Sequence, residues 1–178
     1  HQDMEIISYV ISGAMAHKDS LGTGSQIKPG EVQRMTAGTG VRHSEYNVSS
    51  TDPLNFLQIW IMPEKKGLEP GYEQKSFADI DKENRLVLAG SRDGRNGSVT
   101  IHQDVDLYIS NLRDNARVSH RLAPGRKLWL QTVQGELAVN GEHLTDGDGF
   151  ALENTTDQIM SVNLQSEAAE ILLFDMTP

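Results

Sequence analysis

Apolar runs of strand length recur along this 178-residue chain, and glycine or proline closes most of them. The clearest examples are residues 5–12, 55–62 and 128–134. Short runs of this kind are typical of buried β-strands, because glycine and proline end regular structure. The sequence therefore predicts an all-β fold that is built as a sandwich or a barrel of short strands.

The composition excludes several kinds of function. With a formal net charge of −9 and a pI near 5.0, the chain is not expected to bind nucleic acid directly. It contains no cysteine, which excludes a disulfide framework and a thiolate metal site and suits a reducing cytoplasm. No run approaches the roughly 20 apolar residues that span a bilayer. We therefore expect a cytoplasmic protein without membrane contact. We also expect a monomer, although composition does not bear on this point.

A histidine and a glutamate stand two positions apart in the glycine-bracketed stretch 38–47. Residues i and i+2 of a strand point to the same face, so a strand here would project His43 and Glu45 together. An imidazole nitrogen and a carboxylate oxygen on one face make half of a divalent-metal site. The alternative is a His–Glu pair at the surface of a loop, because such pairs are common by chance.

The chain divides into two strand-rich parts with a polar segment between them. Residues 1–63 and 99–178 carry the strand patterns, whereas residues 64–98 contain charged runs and a strong turn cluster. We interpret residues 64–98 as a connector whose charges face solvent. The two flanking parts repeat weakly, as tandem barrels would. The stretch of the second part that corresponds to His43 has no histidine, so only the first part is expected to hold a metal.

The first residue, His1, stands next to one of the predicted strands. His1 precedes a strongly apolar run that ends at Gly13, which predicts a core strand and a turn. The chain begins without methionine or an apolar leader, so we expect the natural start to lie upstream.

Two stretches match motifs of metal-binding proteins. His1-x-x-x-Glu5 resembles the end of the first cupin motif. Gly40-x-x-His43-x-x-x-Asn47 resembles the second cupin motif. The chain resembles still more closely the pirin family, in particular the bacterial pirin-like proteins described as quercetin 2,3-dioxygenases, at residues 1–6, 37–47, 58–63, 72–74, 102–104 and 172–175. The resemblance covers essentially the whole chain.

The resemblance implies two tandem cupin barrels of jelly-roll type, with an N-terminal barrel that is truncated in this chain. Pirins bind one metal in that barrel through three histidines and one glutamate. His1 matches the second histidine, His43 the third and Glu45 the glutamate, while the first histidine would lie upstream. Glu5 stands where many other cupins have a carboxylate ligand, and we predict that it is not one. The expected ligands are therefore His1, His43 and Glu45, a set that many non-haem iron oxygenases use.

The activity that the resemblance implies is cleavage of a flavonol such as quercetin at its 2,3 bond by O2. It needs one divalent transition metal, for which we expect Fe(II), with Mn, Co, Ni, Cu or Zn as alternatives. Glu45 is expected to be catalytic as a ligand that also holds the substrate proton. Two alternatives stay open. The first is a pirin-like metal-binding module for regulation or redox sensing that acts through a protein partner, and the second is a structural bicupin with a vestigial site.

The other histidines and the largest side chains are expected to be structural. Surface positions are predicted for three histidines: His17, His120 and His143. A structural or inter-domain role is predicted for His102, because it has no partner two residues away. Core positions are predicted for two tryptophans and three methionines: Trp60, Trp129, Met4, Met35 and Met62.

Overall fold

A computed structural model describes residues 1–153 and 156–178 of the chain. The described residues form seventeen β-strands and one short 3₁₀ turn, which confirms the predicted all-β fold. The chain divides into two compact units. The first contains residues 1–80 and 91–103, and the second contains residues 81–90 and 104–178. The segment 64–98, predicted as a connector, is therefore distributed over both units, and the predicted domain boundaries stay a prediction.

The first seven strands form two antiparallel sheets in the first unit. They are β1 (Glu5–Ser12), β2 (Met15–Asp19), β3 (Gly24–Ile27), β4 (Glu31–Thr36), β5 (His43–Asn47), β6 (Asn55–Ile61) and β7 (Gly71–Ser76). The larger sheet has the order β6-β1-β4-β7, and the smaller has the order β3-β2-β5. Their inner faces enclose an apolar cluster: Val10, Met15, Ile27, Leu54 and Phe56. The apolar run 5–12 forms β1 within the bounds that the sequence predicts.

A row of polar side chains crosses the inner face of the larger sheet. Ser8 of β1 pairs with Gln58 of β6 on one side and with Gln33 of β4 on the other. Gln33 pairs in turn with Gln74 of β7. Directly paired residues share a face, so these four side chains form a polar belt between apolar layers. The predicted strand pattern does not show this belt, because each strand contributes only one of its residues.

The outer face of the same sheet packs on the segment 91–103. Arg34 donates through Nε to the carbonyl oxygen of Thr100 at 2.7 Å. Glu5 is fully buried and its Oε2 accepts the backbone N–H of His102 at 3.1 Å. The Nδ1 atom of His102 lies 3.1 Å from the same oxygen. These contacts give His102 the structural role that the sequence predicts and direct Glu5 away from the inner face.

The second unit also consists of two facing sheets. Its strands are β8 (Val87–Ser91), β10 (Val105–Arg113), β11 (Arg117–Leu122), β12 (Lys127–Gln134), β13 (Leu137–Val139), β14 (Glu142–Leu144), β15 (Gly149–Glu153), β16 (Gln158–Leu164) and β17 (Ala168–Met176), whereas β9 (Val99–Thr100) lies in the segment 91–103 of the first unit. β15, β12, β17, β10 and β8 are neighbours in that order, and β11, β16, β13 and β14 form the opposite sheet. The inner faces enclose a large apolar cluster that includes Leu112, Leu130, Met160, Val162 and Ile171. Its interior is therefore filled with hydrocarbon side chains.

The predicted Asn-Gly hairpin joins β13 to β14. Asn140 and Gly141 both have positive φ angles, of 49° and 90°. Two successive residues in this region are what a tight hairpin turn requires, and asparagine and glycine adopt it most readily.

In the part of the chain that the structure describes, no helix is long and apolar enough to cross a membrane.

Three of the predicted core residues are not in the core. Trp60, Trp129 and Met62 are 51%, 41% and 62% exposed. Each tryptophan donates its indole N–H to a glutamine two positions away, Gln58 at 3.1 Å and Gln131 at 3.3 Å. An apolar run does not reveal which of its residues reach solvent, and an indole satisfies both environments. The prediction holds for two methionines that contact a buried cluster: Met4 and Met35.

The histidines of the second unit differ from one another. His143 is exposed, as predicted. His120 is half-buried rather than exposed, and its Nε2 lies 2.7 Å from Oδ2 of Asp175. The prediction failed because Asp175 lies far along the chain, on β17, and local sequence does not show that the two strands meet.

Candidate metal centre

Two neighbouring strands bring two histidines and a glutamate together. His43 and Glu45 share one face of β5, as their spacing predicts, and their side chains are only 9% and 13% exposed. β2 pairs with β5 and places His17 directly opposite Glu45, so His17 shares that face. One ligand atom from each of the three residues lies within 4.8 Å of the others. His17, His43 and Glu45 are named the candidate metal centre.

His17 is not the surface residue that the sequence predicts. It is 2% exposed, and its Nε2 lies 3.0 Å from Oδ2 of Asp19. Asp19 is itself fixed, because its Oδ1 accepts the backbone N–H groups of Leu21 and Thr23 at 2.9 Å. A carboxylate in this position orients an imidazole and strengthens its other nitrogen as a ligand. The spacing of His17 and Asp19 was the available signal, since it places both on one strand face.

The free nitrogen atoms of the two histidines fit a divalent cation. Nδ1 of His17 and Nδ1 of His43 are buried and have no hydrogen-bond partner among the described residues. They lie 4.0 Å and 3.7 Å from Oε1 of Glu45. Metal–ligand bonds of about 2.0–2.2 Å allow two ligands of one ion to be up to ~4 Å apart. Burying unpaired polar atoms is costly, and a cation among these donors would satisfy both imidazoles.

His1 lies beside the candidate metal centre. Its amino group donates to the carbonyl oxygen of Val41 at 2.9 Å, and its own carbonyl accepts the Val41 N–H at 3.0 Å. The centroid of its ring is 5.0 Å from that of His43 and 4.9 Å from that of Trp60. The structure thus brings the predicted ligands His1, His43 and Glu45 into one region. That His1 binds the metal stays a prediction.

The polar belt faces the candidate metal centre. Gln58 donates through Nε2 to Oε2 of Glu45 at 2.5 Å, and the Ser8 hydroxyl donates to Oε1 at 3.4 Å. Gln33 is fully buried, and neither atom of its amide has a hydrogen-bond partner among the described residues. Sequence reasoning missed these residues, because the pairing of β1 with β4 and β6 places them opposite β5.

The pKa values of the two histidines in the centre are shifted in opposite directions. Burial alone would raise the pKa of Glu45, but the neighbouring His17 and His43 hold that pKa below its ordinary value. Burial would lower the pKa of His17, yet Glu45 and Asp19 outweigh it and raise that pKa above 6.5. Burial lowers the pKa of His43 below 6.5, assisted by the charge on His17. Without metal, His17 therefore holds a proton more tightly than His43.

These shifts predict a stability maximum near pH 6.5 for the metal-free protein. The raised pKa of His17 gives a contribution that is complete below 6.5 and is lost as the pH rises through the folded value. The lowered pKa values of His43 and Glu45 act oppositely. Their contributions are complete above the unfolded values of 6.5 and 4.5 and are lost as the pH falls through the folded values.

Urea unfolding between about pH 4 and about pH 9 measures this profile. In the His17→Gln variant the decline above the maximum should be reduced. A decline of equal size in that variant would show that another group causes it.

Gly38 sets the path of the chain into β5. Its φ angle is +48°, and a Cβ added to it would lie 2.0 Å from the carbonyl oxygen of Leu68. We expect Gly38→Ala to destabilise the protein by about 3 kcal/mol or more, because strain and a backbone clash add together. Gly24→Ala is the matched control, because an added Cβ there meets nothing within 4 Å. Urea unfolding that gives both variants native stability would contradict this account of Gly38.

Two family models match the chain. The model described as pirin matches residues 1–61, and the model described as the quercetinase C-terminal cupin domain matches residues 88–176. Among curated relatives, the protein named quercetin 2,3-dioxygenase of Escherichia coli strain K12 is 45% identical over 178 residues. The alignment spans 100% of this chain and 74% of that protein.

Solved structures of related proteins are similar to this chain as well. The bacterial pirin YhhW from Escherichia coli, crystallised in complex with nickel(II), superimposes with a TM-score of 0.91 at 44% identity. The superposition covers 100% of this chain and 74% of that one. A quercetin 2,3-dioxygenase from Acinetobacter baumannii gives a TM-score of 0.81 at 22% identity, over 100% of this chain and 60% of that one. At this identity the likeness concerns the fold alone.

Proposed function

Because the chain belongs to the pirin family and has its two tandem cupin domains, we propose that it is a metal-dependent dioxygenase that cleaves a flavonol at its 2,3 bond with O2. Quercetin is the proposed model substrate, since the Escherichia coli relative is named a quercetin 2,3-dioxygenase. The observation that carries the proposal is the convergence of His17, His43 and Glu45. With this activity, we expect the protein to be a cytoplasmic monomer whose partners are the flavonol and O2.

The metal is proposed to be held by Nδ1 of His17, Nδ1 of His43 and Oε1 of Glu45, with the ring of His1 close enough to join them. Two imidazoles and a carboxylate suit any of the divalent first-row transition metals, of which Fe(II) is our choice. The related pirin YhhW was crystallised in complex with nickel(II), which supports a divalent transition metal in this family without selecting Fe(II). When bound, such a metal supplies Lewis acidity that lowers the pKa of a coordinated hydroxyl group.

The protein groups around the centre are proposed to bind and deprotonate the substrate. Glu45 is ionised near neutral pH, because its pKa is held below the ordinary value of 4.5. Its carboxylate can therefore accept the proton of the flavonol hydroxyl. Asp19 keeps Nδ1 of His17 directed at the centre by binding the opposite nitrogen. Ser8 and Gln58 hold the carboxylate in place from the facing sheet.

Oxygen uptake with quercetin tests the proposal. Protein reconstituted with Fe(II) should consume O2 in a quercetin-dependent reaction, and the absorbance of the flavonol should fall in parallel. The His43→Ala variant should consume O2 no faster than free Fe(II) does with quercetin in the absence of protein. Protein that binds a metal yet shows no quercetin-dependent uptake would contradict the proposed activity and favour the regulatory alternative.

A further inference from the structure

We propose that Gln58 is a positioning residue that makes Glu45 a single-oxygen ligand of the metal. The inference rests on the proposed metal-dependent function, because it concerns how the same centre is oriented. It begins with the two oxygen atoms of Glu45, which have different surroundings. Oε2 accepts a hydrogen bond from Nε2 of Gln58 at 2.5 Å. Oε1 faces the Nδ1 atoms of His43 and His17, at 3.7 Å and 4.0 Å, and neither nitrogen has a hydrogen-bond partner within residues 1–153 and 156–178.

One oxygen of the carboxylate is thus occupied and the other is directed at the histidines. A carboxylate with a donor on one oxygen presents the other oxygen alone to a cation. The Ser8 hydroxyl lies on the same facing sheet as Gln58 and makes a longer contact with Oε1, at 3.4 Å. Each oxygen therefore has a donor on that sheet, and these two contacts limit the rotation of the carboxylate. Hydrogen bonds to a ligating group from outside the coordination shell commonly tune its affinity for a metal.

The amide of Gln58 is itself oriented by a third residue. The indole N–H of Trp60 donates to Oε1 of Gln58 at 3.1 Å. An indole is a donor only, so the oxygen of the amide must face Trp60 and its NH₂ group must face Glu45. Trp60, Gln58 and Glu45 therefore form a chain of hydrogen bonds with one direction. Trp60 can make this contact because it lies two positions after Gln58 on β6 and therefore shares its face.

The second unit contains a similar pair that serves a different purpose. The indole N–H of Trp129 donates to Oε1 of Gln131 at 3.3 Å. The amide of Gln131, however, donates to the backbone carbonyl groups of Gly147 and Asp148 at 2.8 Å and 3.2 Å. A tryptophan–glutamine pair is thus found in both units, and in the first it is directed at a carboxylate beside two histidines. Gln131 is the natural control for Gln58.

The test compares Gln58→Met with Gln131→Met in the full chain. Methionine keeps the length of the side chain and removes the donor. Titration calorimetry with Ni(II) should show affinity reduced about 10- to 100-fold in Gln58→Met and unchanged in Gln131→Met. The visible spectrum of Co(II)-loaded protein should change in Gln58→Met alone, because the coordination of Glu45 changes. A purely structural glutamine would move neither readout.

A second variant guards against a folding defect. Trp60→Phe leaves Gln58 in place and removes the donor that orients its amide, so a loss of a few-fold in Ni(II) affinity is expected. Native Ni(II) affinity and a native Co(II) spectrum in folded Gln58→Met, or in Trp60→Phe if Gln58→Met does not fold, would overturn the role of Gln58. Wild-type protein that binds no Ni(II) would overturn the metal centre and the proposed function together.

Discussion

Replacing Glu45 with glutamine is expected to abolish flavonol turnover while the protein stays folded. Glutamine preserves the shape of the side chain on β5 but removes its negative charge and its ability to accept a proton. The carboxylate that faces Nδ1 of both histidines would then be replaced by a neutral amide, which is a poor metal ligand and cannot act as a base. We expect the rate of quercetin-dependent oxygen uptake to fall about 100-fold or more.

Glu142→Gln is the matched control for this variant. Glu142 is an exposed carboxylate on a strand of the second unit, so its replacement should leave turnover unchanged. Circular dichroism and urea unfolding establish that both variants keep the native fold. Unchanged turnover in folded Glu45→Gln would exclude Glu45 both as an essential ligand and as the proton acceptor.

A His17→Ala variant is expected to lose about 100-fold or more in metal affinity, because a ligand contributes more than the outer groups that orient it. The reason is geometric. Nε2 of His17 is bound to Asp19, and Nδ1 faces Glu45 without a hydrogen-bond partner in the described part of the chain. Titration with Ni(II) at one fixed pH measures the loss, and the fixed pH matters because protons compete with the metal for His17.

His120→Ala provides the control, because His120 is also a histidine whose Nε2 contacts an aspartate, Asp175, but it lies in the second unit. Its replacement should leave Ni(II) affinity unchanged. Native affinity in His17→Ala would show that His17 is not a ligand. It would favour the set that the sequence predicts, which is His1, His43 and Glu45.

Local chemistry explains the part of the fold that the sequence predicts. Glycine closes the run that forms β1, and proline follows the run that forms β6. The Asn-Gly pair fixes the hairpin between β13 and β14, because both of its residues have positive φ angles. The shared direction of His43 and Glu45 is equally local, since it depends only on the period of a strand.

The rest of the candidate metal centre depends on strand pairing between distant parts of the chain. His17 joins it because β2 pairs with β5 in one register, and a shift by one residue would turn His17 to the other face. Gln58 faces Glu45 because a separate sheet packs on that pair of strands. Nothing in the residues around His17 or Gln58 reports these partners. Trp60 was misplaced for the same reason, since an apolar run does not show that β6 lies at the edge of its sheet.

The metal content of the purified full chain tests the central claim most directly. After reconstitution with Fe(II) and removal of free ions, elemental mass spectrometry should find about one transition metal per chain, as a single folded site predicts. The His43→Ala variant should contain almost none. Wild-type protein that stays metal-free after reconstitution would contradict the claim that His17, His43 and Glu45 form a metal centre.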